Sequence, residues 1–239
     1  MKIKGRNAVR EALNSNVNIL KIMASNSSKD KVLGDILNLA KQKNIKIQYL
    51  DNKILDRECE NNQGIIAETS EFKYSSVEDI LAVAKEKNKN NFILILDGVE
   101  DPHNFGSIIR VAECLGVDGI IISKNRACPV NDTVSKVSAG AIEHVKIAKV
   151  TNINTEIERL KEQNIWVYAC ELGGSDLDST DLSGNIAIVM GSEGKGVSSL
   201  TKKLCDGIVT MKMYGKVNSL NVSVATGIVL YEIVRKNRN

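Results

Sequence analysis

The feature that most limits the fold is an apolar run, Phe92-Ile93-Leu94-Ile95-Leu96, that begins abruptly after a polar stretch. Consecutive apolar residues without alternation are the pattern of a strand buried on both faces. Such a strand needs helices on both sides of its sheet. Further strands are expected at Gly119–Ile122, Val145–Ala148, Ile165–Ala169, Ile186–Met190 and Ile208–Met213. Helical spacing separates them at about 105–115, 153–163 and 222–235, with a shorter stretch near 134–141. The alternation predicts a mostly parallel sheet covered on both faces, with ligands at the carboxyl ends of its strands.

A smaller α/β block precedes it. Ile19 to Ala24 reads as a strand, and Val32, Leu33, Ile36, Leu37 and Ala40 recur at helical spacing. Ile45 to Leu50 is a second strand, Ile54, Leu55 and Cys59 mark a short helix, and Gly64 to Ala67 opens a third strand. Through Glu71 this block holds 12 basic and 9 acidic residues, so the +3 of the whole chain resides here. The expected division is a domain over 1–71, a polar linker over 72–91 carrying a short helix at Val77 to Lys87, and a second domain over 92–239. The lysine-rich end of that linker reads as a solvated helix end in preference to a nucleic-acid contact.

Composition narrows the class. A net charge of +3 excludes a histone-like polycation, and no apolar run approaches the roughly 18 residues of a membrane-spanning helix. Charged sequence follows Met1-Lys2-Ile3-Lys4, without the apolar core of a secretory signal. Five widely spaced cysteines without a C-x-x-C pair point to reduced thiols and a cytoplasmic setting. They and the two histidines offer no metal-ligand spacing, so no metal site is expected.

Three loops at predicted strand ends could carry chemistry. The first, Leu96 to Arg110, opens a helix with Asn104 as a plausible N-cap and Ser107 and Arg110 on a flank away from the apolar face. Arg110 could grip a phosphate or pair with a surface acid such as Glu113. Histidine as a residue type suits general-base work near neutral pH, which makes His103 a candidate, but a structural hydrogen bond is at least as good a reading; His144 is a weaker candidate. The second, Val189-Met190-Gly191-Ser192-Glu193-Gly194-Lys195-Gly196-Val197, lets a ligand approach the backbone through its three glycines. It matches neither a Walker A loop nor a Rossmann fingerprint, which argues against an ATP or NAD enzyme. The third, Val217 to Gly227, holds in Asn218, Ser219, Asn221 and Ser223 more small polar residues than one helix cap requires.

In this order, and with Ser138-Ala139-Gly140-Ala141-Ile142-Glu143-His144 between them, the three loops resemble the three motifs of the SpoU/TrmH group of S-adenosylmethionine-dependent RNA ribose 2′-O-methyltransferases. Gly5-Arg6-Asn7-Ala8-Val9-Arg10-Glu11-Ala12-Leu13 and Asn62-Gln63-Gly64-Ile65 are similar to the small ribosomal-protein-like (L30e/L7Ae-like) α/β RNA-binding domain at the front of one branch. That branch modifies a guanosine of large-subunit (23S) ribosomal RNA. Asn62 stands where members of that branch usually have histidine before Gln-Gly.

The resemblance implies a SPOUT-type α/β fold whose C-terminal parallel sheet contains a deep trefoil knot, and a homodimer formed through the helix that follows the third loop. Ala225 and Gly227 would suit close packing at that interface. It implies Arg110, Asn104, Glu193, Ser219 and Asn221 as the catalytic set, with Arg110 central. Gly191, Met211 and Leu220 would hold S-adenosylmethionine, although plain strand packing also accounts for Met211. Leu172-Gly173-Gly174 is a lesser candidate for lining the cofactor pocket. The substrate would be RNA. Transfer RNA, or a non-catalytic RNA-binding role, are the alternatives.

Overall fold

The run at 92–96 does become a central strand, and the site is placed by it. The computed structural model describes residues 2–14, 19–26, 30–70, 72–217 and 219–237, so Glu71 and Asn218 lie outside the described residues. The chain forms two compact units, Met1–Phe72 and Lys73–Asn239. The first contains β1 (Lys2–Lys4), α1 (Arg6–Asn14), β2 (Ile19–Ser25), α2 (Lys31–Gln42), β3 (Lys46–Leu50), α3 (Asn52–Glu58) and β4 (Ile65–Thr69). The second contains α4 (Val77–Glu86), β5 (Phe92–Asp97), α5 (Pro102–Cys114), β6 (Gly119–Ser123) and α6 (Asp132–Val137). It continues with a 3-10 turn at Ala141–Glu143, β7 (Lys146–Val150), α7 (Ile153–Glu162), β8 (Trp166–Asp176), β9 (Ile186–Gly191), α8 (Ser199–Leu204), β10 (Gly207–Thr210) and α9 (Val222–Asn237).

The first unit is a four-stranded mixed sheet in the order β1-β4-β2-β3. β1 and α1 were not among the expected elements, yet α1 carries its signal: Val9, Ala12 and Leu13 share one face and are buried. The Gly5-Arg6 and Asn62-Gln63-Gly64 segments meet here, since Arg6 N donates to Gln63 Oε1 (3.1 Å) and Arg6 Nε to Gln63 O (3.1 Å). Asn62 is buried and fully engaged: its Nδ2 donates to Asp56 Oδ1 and Cys59 O (both 2.8 Å), and its Oδ1 accepts from Gly64 N (2.8 Å). Its side chain therefore shapes the turn and is not presented to a ligand.

In the second unit six strands form one sheet, β10-β8-β9-β5-β6-β7, and every neighbouring pair is parallel. Ile93 and Ile95 join Ile121, Val167, Ala187 and Val189 in one core with α7 residues Ile157 and Leu160. Leu94 and Ile188 are buried on the opposite face, and α9 packs on α5 and on β9. From β5 the chain builds outward through β6 and β7, then returns to place β9 on the other side of β5. That reversal is the switch point where α/β sheets hold ligands.

The segment expected to link the domains is instead part of this core. Val77, Ile80 and Ala84 of α4 are buried, and Ile80 lies against Gly119, where a Cβ would come within 2.4 Å of Ile80 Cγ1. The helix starts with a reciprocal capping box between Ser76 and Asp79. Its polar flanks suggested a linker, but an apolar residue at every third or fourth position was enough to dock it. Of the following lysines, Lys89 pairs with Asp118 (2.7 Å) and donates to Gly116 O (3.2 Å).

Other boundaries also differ from expectation. β8 runs on to Asp176 because its Cys170–Gly174 stretch bulges away from β10: Ile208 pairs with Ala169, and the next pair is Val209 with Ser175. Gly174 is required there, since a Cβ would lie 2.3 Å from Ile208 O. β10 ends at Thr210, short of Met213, and α8 was not anticipated. The last turn of α9 is clasped by the loop after β8. Lys236 Nζ donates to Leu177 O (2.7 Å), Asp178 O (2.8 Å) and Thr180 O (2.8 Å), and Asn237 Nδ2 to Leu182 O (3.0 Å). Among the described residues no helix is long and apolar enough to cross a membrane.

Candidate active site at the strand ends

Four parallel neighbours, β10, β8, β9 and β5, end on one edge of the sheet, and Asp97 stands directly opposite Gly191 in the register. Parallel pairing therefore brings the first and second loops together, and β10 leads into the third beside them. The second loop folds back on itself: Ser192 and Gly196 exchange both backbone hydrogen bonds (3.2 and 3.0 Å). A Cβ on Gly191 would lie 2.0 Å from the Gly196 carbonyl carbon, so only glycine permits this turn. Val197 N donates to Glu171 Oε2 (2.9 Å) and Ser198 N to Asp97 Oδ2 (3.0 Å), which ties the loop to β8 and β5.

One side chain joins all three loops. Asn221 Nδ2 donates to Asn104 Oδ1 (2.9 Å) and to Glu193 Oε1 (2.9 Å). Its Oδ1 accepts from Ser223 N (3.0 Å) and Ser223 Oγ (2.6 Å) at the start of α9. The capping reading and the site reading of Asn221 are thus both met, by opposite ends of one amide. Asn104 is free for this contact because it is not the N-cap of α5. Asp101 takes that place, accepting from Asn104 N (2.8 Å), with Pro102 following it in the first turn. Asn104 and Glu193 line a crevice of about 450 Å³ with Asp97, Glu100, Arg126 and Lys195.

The remaining candidates are less tightly gathered. Arg110 lies six residues along α5 from Asn104, a rise of about 9 Å. It is exposed, and its side chain makes no hydrogen bond or ion pair with any described residue. Its neighbour Val111 lines a groove of about 700 Å³ with Met211, Ser223 and Gly227. Met211 is half-buried, Ser219 is exposed, and Leu220 is 42% exposed. Gly227 faces α5, where a Cβ would sit 3.6 Å from Val111 Cγ1, and Ala225 is buried; their small size serves packing within the chain. The outward face of α9 is instead Val224, Ile228 and Tyr231, at 52%, 45% and 59% exposure.

A profile of the SpoU rRNA Methylase family matches residues 91–231, spanning all three loops. The chain belongs to this family. The first unit matches the model for RNA 2′-O ribose methyltransferase substrate binding over residues 2–75. A Bacillus subtilis protein with the provisional name TrmH family tRNA/rRNA methyltransferase YacO is 43% identical over 236 residues, covering 97% of this chain and 94% of its own. Among solved structures, the SpoU methyltransferase AviRb from Streptomyces viridochromogenes, in complex with the cofactor AdoMet, aligns with a TM-score of 0.68 at 20% identity. That alignment covers 99% of this chain and 90% of AviRb. The A. aeolicus TrmH/SpoU tRNA modifying enzyme aligns at 29% identity and a TM-score of 0.57 over 62% of this chain and 76% of its own. The protein is thus an RNA methyltransferase of the SpoU/TrmH family, with the α/β SPOUT fold behind an N-terminal substrate-binding unit.

Several residues of this SpoU site escaped the sequence reading. Glu171 holds the glycine-rich turn in place, and Thr210 Oγ1 donates to Glu171 O while accepting from Gly174 N (3.1 Å). Arg126 reaches the crevice from the turn after β6, outside the three loops. Its only sequence signal was its place after a predicted strand end. Burial pushes the Cys170 thiol, just before Glu171, up to about 11. It stays protonated at neutral pH and supplies no thiolate nucleophile here. Among the described residues no group of three His, Cys, Asp or Glu is arranged to hold a metal.

Proposed function

We propose that the second unit methylates a ribose 2′-hydroxyl of RNA with S-adenosylmethionine, and that the first unit holds a guanosine-containing segment of 23S ribosomal RNA. The observation that carries this reading is the Asn221 amide joining Asn104 and Glu193 at the switch point of the sheet. The residues at that edge fit an amphiphilic nucleoside cofactor. Gly191 lets the second loop fold tightly back on itself, and in that turn the N–H groups of Glu193, Gly194 and Lys195 make no hydrogen bond to any described residue. Leu172 in the β8 bulge, at 52% exposure, Met211 just after β10 and Leu220 in the third loop supply apolar contact. These groups would hold it.

The chemistry supplied by bound S-adenosylmethionine is an electrophilic methyl group on positively charged sulfur. The protein must then orient a weak nucleophile and exclude water. Asn221 holds Asn104 and Glu193 in place, Asn104 turns its amide to the crevice, and Glu193 offers a carboxylate oxygen to a ribose hydroxyl. A guanidinium is a donor and a fixed positive charge, not a base, so Arg110 holds an adjacent phosphate and stabilises charge developing on the 2′-oxygen, while the proton leaves to phosphate or water. Ser219 orients the strand beside them.

The outward stripe of α9, with Tyr214 at 93% exposure, supports a homodimer through the second unit. The clasp of the 177–182 loop around the end of α9 supports the trefoil knot. Free cysteines support a cytoplasmic setting.

The test is Arg110→Ala assayed for methyl transfer and S-adenosylmethionine binding together. The variant should bind normally and lose roughly 10²–10³-fold in rate; near-normal transfer would remove Arg110 from the mechanism. Mapping 2′-O-methyl sites in RNA from cells lacking the protein should find a missing mark on a guanosine of 23S RNA. A missing mark on transfer RNA would move the substrate assignment there.

A further inference from the structure

We infer that Arg126 is a substrate-binding residue whose guanidinium grips a phosphate of the RNA strand beside the modified ribose. The inference rests on the methyltransferase reading and adds a contact from outside the three loops. Arg126 lies in the turn after β6 and lines the crevice with Asn104, Glu193 and Lys195. The turn is held in place: Cys128 N donates to Val99 O (2.9 Å), and the Ser123 hydroxyl donates to Asn125 O. Arg126 itself sits at a φ of 54°, a left-handed conformation that persists in a non-glycine residue when its surroundings enforce it.

The backbone is therefore fixed while the side chain is exposed, with no hydrogen bond or ion pair to any described residue. Carboxylates are close by, for Asp97, Glu100, Asp101 and Glu193 line the same crevice. Three of them are already engaged, Asp97 with Ser198 N, Asp101 with Asn104 N and Glu193 with Asn221 Nδ2. An RNA strand entering this acidic crevice is repelled unless cations meet its phosphates. Arg126 and Lys195 are the two cations lining it. Arg126 stands on the pinned turn, and its planar fork matches a phosphate bidentately.

The test compares wild type, Arg126→Ala and Arg126→Lys. The probe is total RNA from cells lacking the protein, the methyl donor is tritiated S-adenosylmethionine, and RNA binding is titrated separately against salt. Arg126→Ala should raise KM for RNA about tenfold, as loss of a charged hydrogen bond does. It should leave kcat within about threefold and cofactor affinity unchanged. The slope of log binding constant against log salt should become shallower by about 0.7–0.9. Arg126→Lys should restore the slope and only part of KM.

An unchanged KM and slope in Arg126→Ala would overturn the assignment. So would a fall in kcat alone, or loss of cofactor binding in both variants, which marks a structural role. The slope is read from binding alone. Wild type that binds RNA without methylating it would defeat the methyltransferase reading, while the slope still decides the phosphate contact.

Discussion

Asn221→Asp separates the two jobs of that amide. The new side chain keeps the oxygen that accepts from Ser223 N and Oγ (3.0 and 2.6 Å), and negative charge at a helix N-terminus is favoured by about 0.3–1 kcal/mol. It replaces the NH2 that donates to Asn104 and Glu193 (both 2.9 Å) with a carboxylate oxygen. The lost hydrogen bonds contribute about 0.5–1.5 kcal/mol for the neutral one and about 1.5–3 kcal/mol for the charged one. Two carboxylates roughly 3 Å apart add about 1.4 kcal/mol of repulsion even at the dielectric constant of water.

The site is exposed, Glu193 can turn away, and rotation of the Asn104 amide can recover one bond, so the low ends apply. A net loss of about 2 kcal/mol lowers Tm by about 4–8 °C in a domain of this size. The carboxyl pair binds its first proton more tightly when folded than when unfolded. The deficit is therefore largest at neutral pH and shrinks as pH falls through about 5 to 4. Thermal melts at pH 7 and 4.5, beside Asn221→Ala, measure this. The alanine variant also loses the cap, a further ~0.5–2 kcal/mol, and should show no recovery at low pH. An aspartate variant that melts with wild type at pH 7, or whose deficit ignores pH, would refute the shared-amide argument.

Gly191→Ala should disrupt the second loop and weaken cofactor binding at least tenfold by calorimetry, because its Cβ would meet Gly196 backbone at 2.0 Å. Ile80→Ala should destabilise the second unit by about 2–5 kcal/mol in denaturant titration, since Ile80 is fully buried in its core; a change under ~0.5 kcal/mol would return α4 to the role of a linker. Burial raises the Cys170 and Cys205 thiols to about 11 and about 12. Their folded values exceed the unfolded value of about 8.5, so the stability they contribute is whole below that pH and is lost as pH rises toward 11–12. Alkaline melts of Cys205→Ala against wild type should converge over that window, and a constant gap would contradict the shift.

The sequence by itself determined the periodic elements and the edge at which to look. A short unbroken apolar run bounded by polar sequence points to a doubly covered strand, whereas α1 was not among the expected elements although Val9, Ala12 and Leu13 share one of its faces. The three loops were legible because glycine and small polar residues are rare at such density without a backbone or ligand reason. What sequence spacing could not supply was partnership across long separations. Asn104 and Asn221 are 117 residues apart; only the parallel register of β5 and β9 and the reversal of strand order make them neighbours. The identity of the α5 cap, the docking of α4 and the unpaired state of Arg126 were decided in the same way. Each depends on which groups compete for a hydrogen bond or an apolar face after folding, and that competition is set in three dimensions.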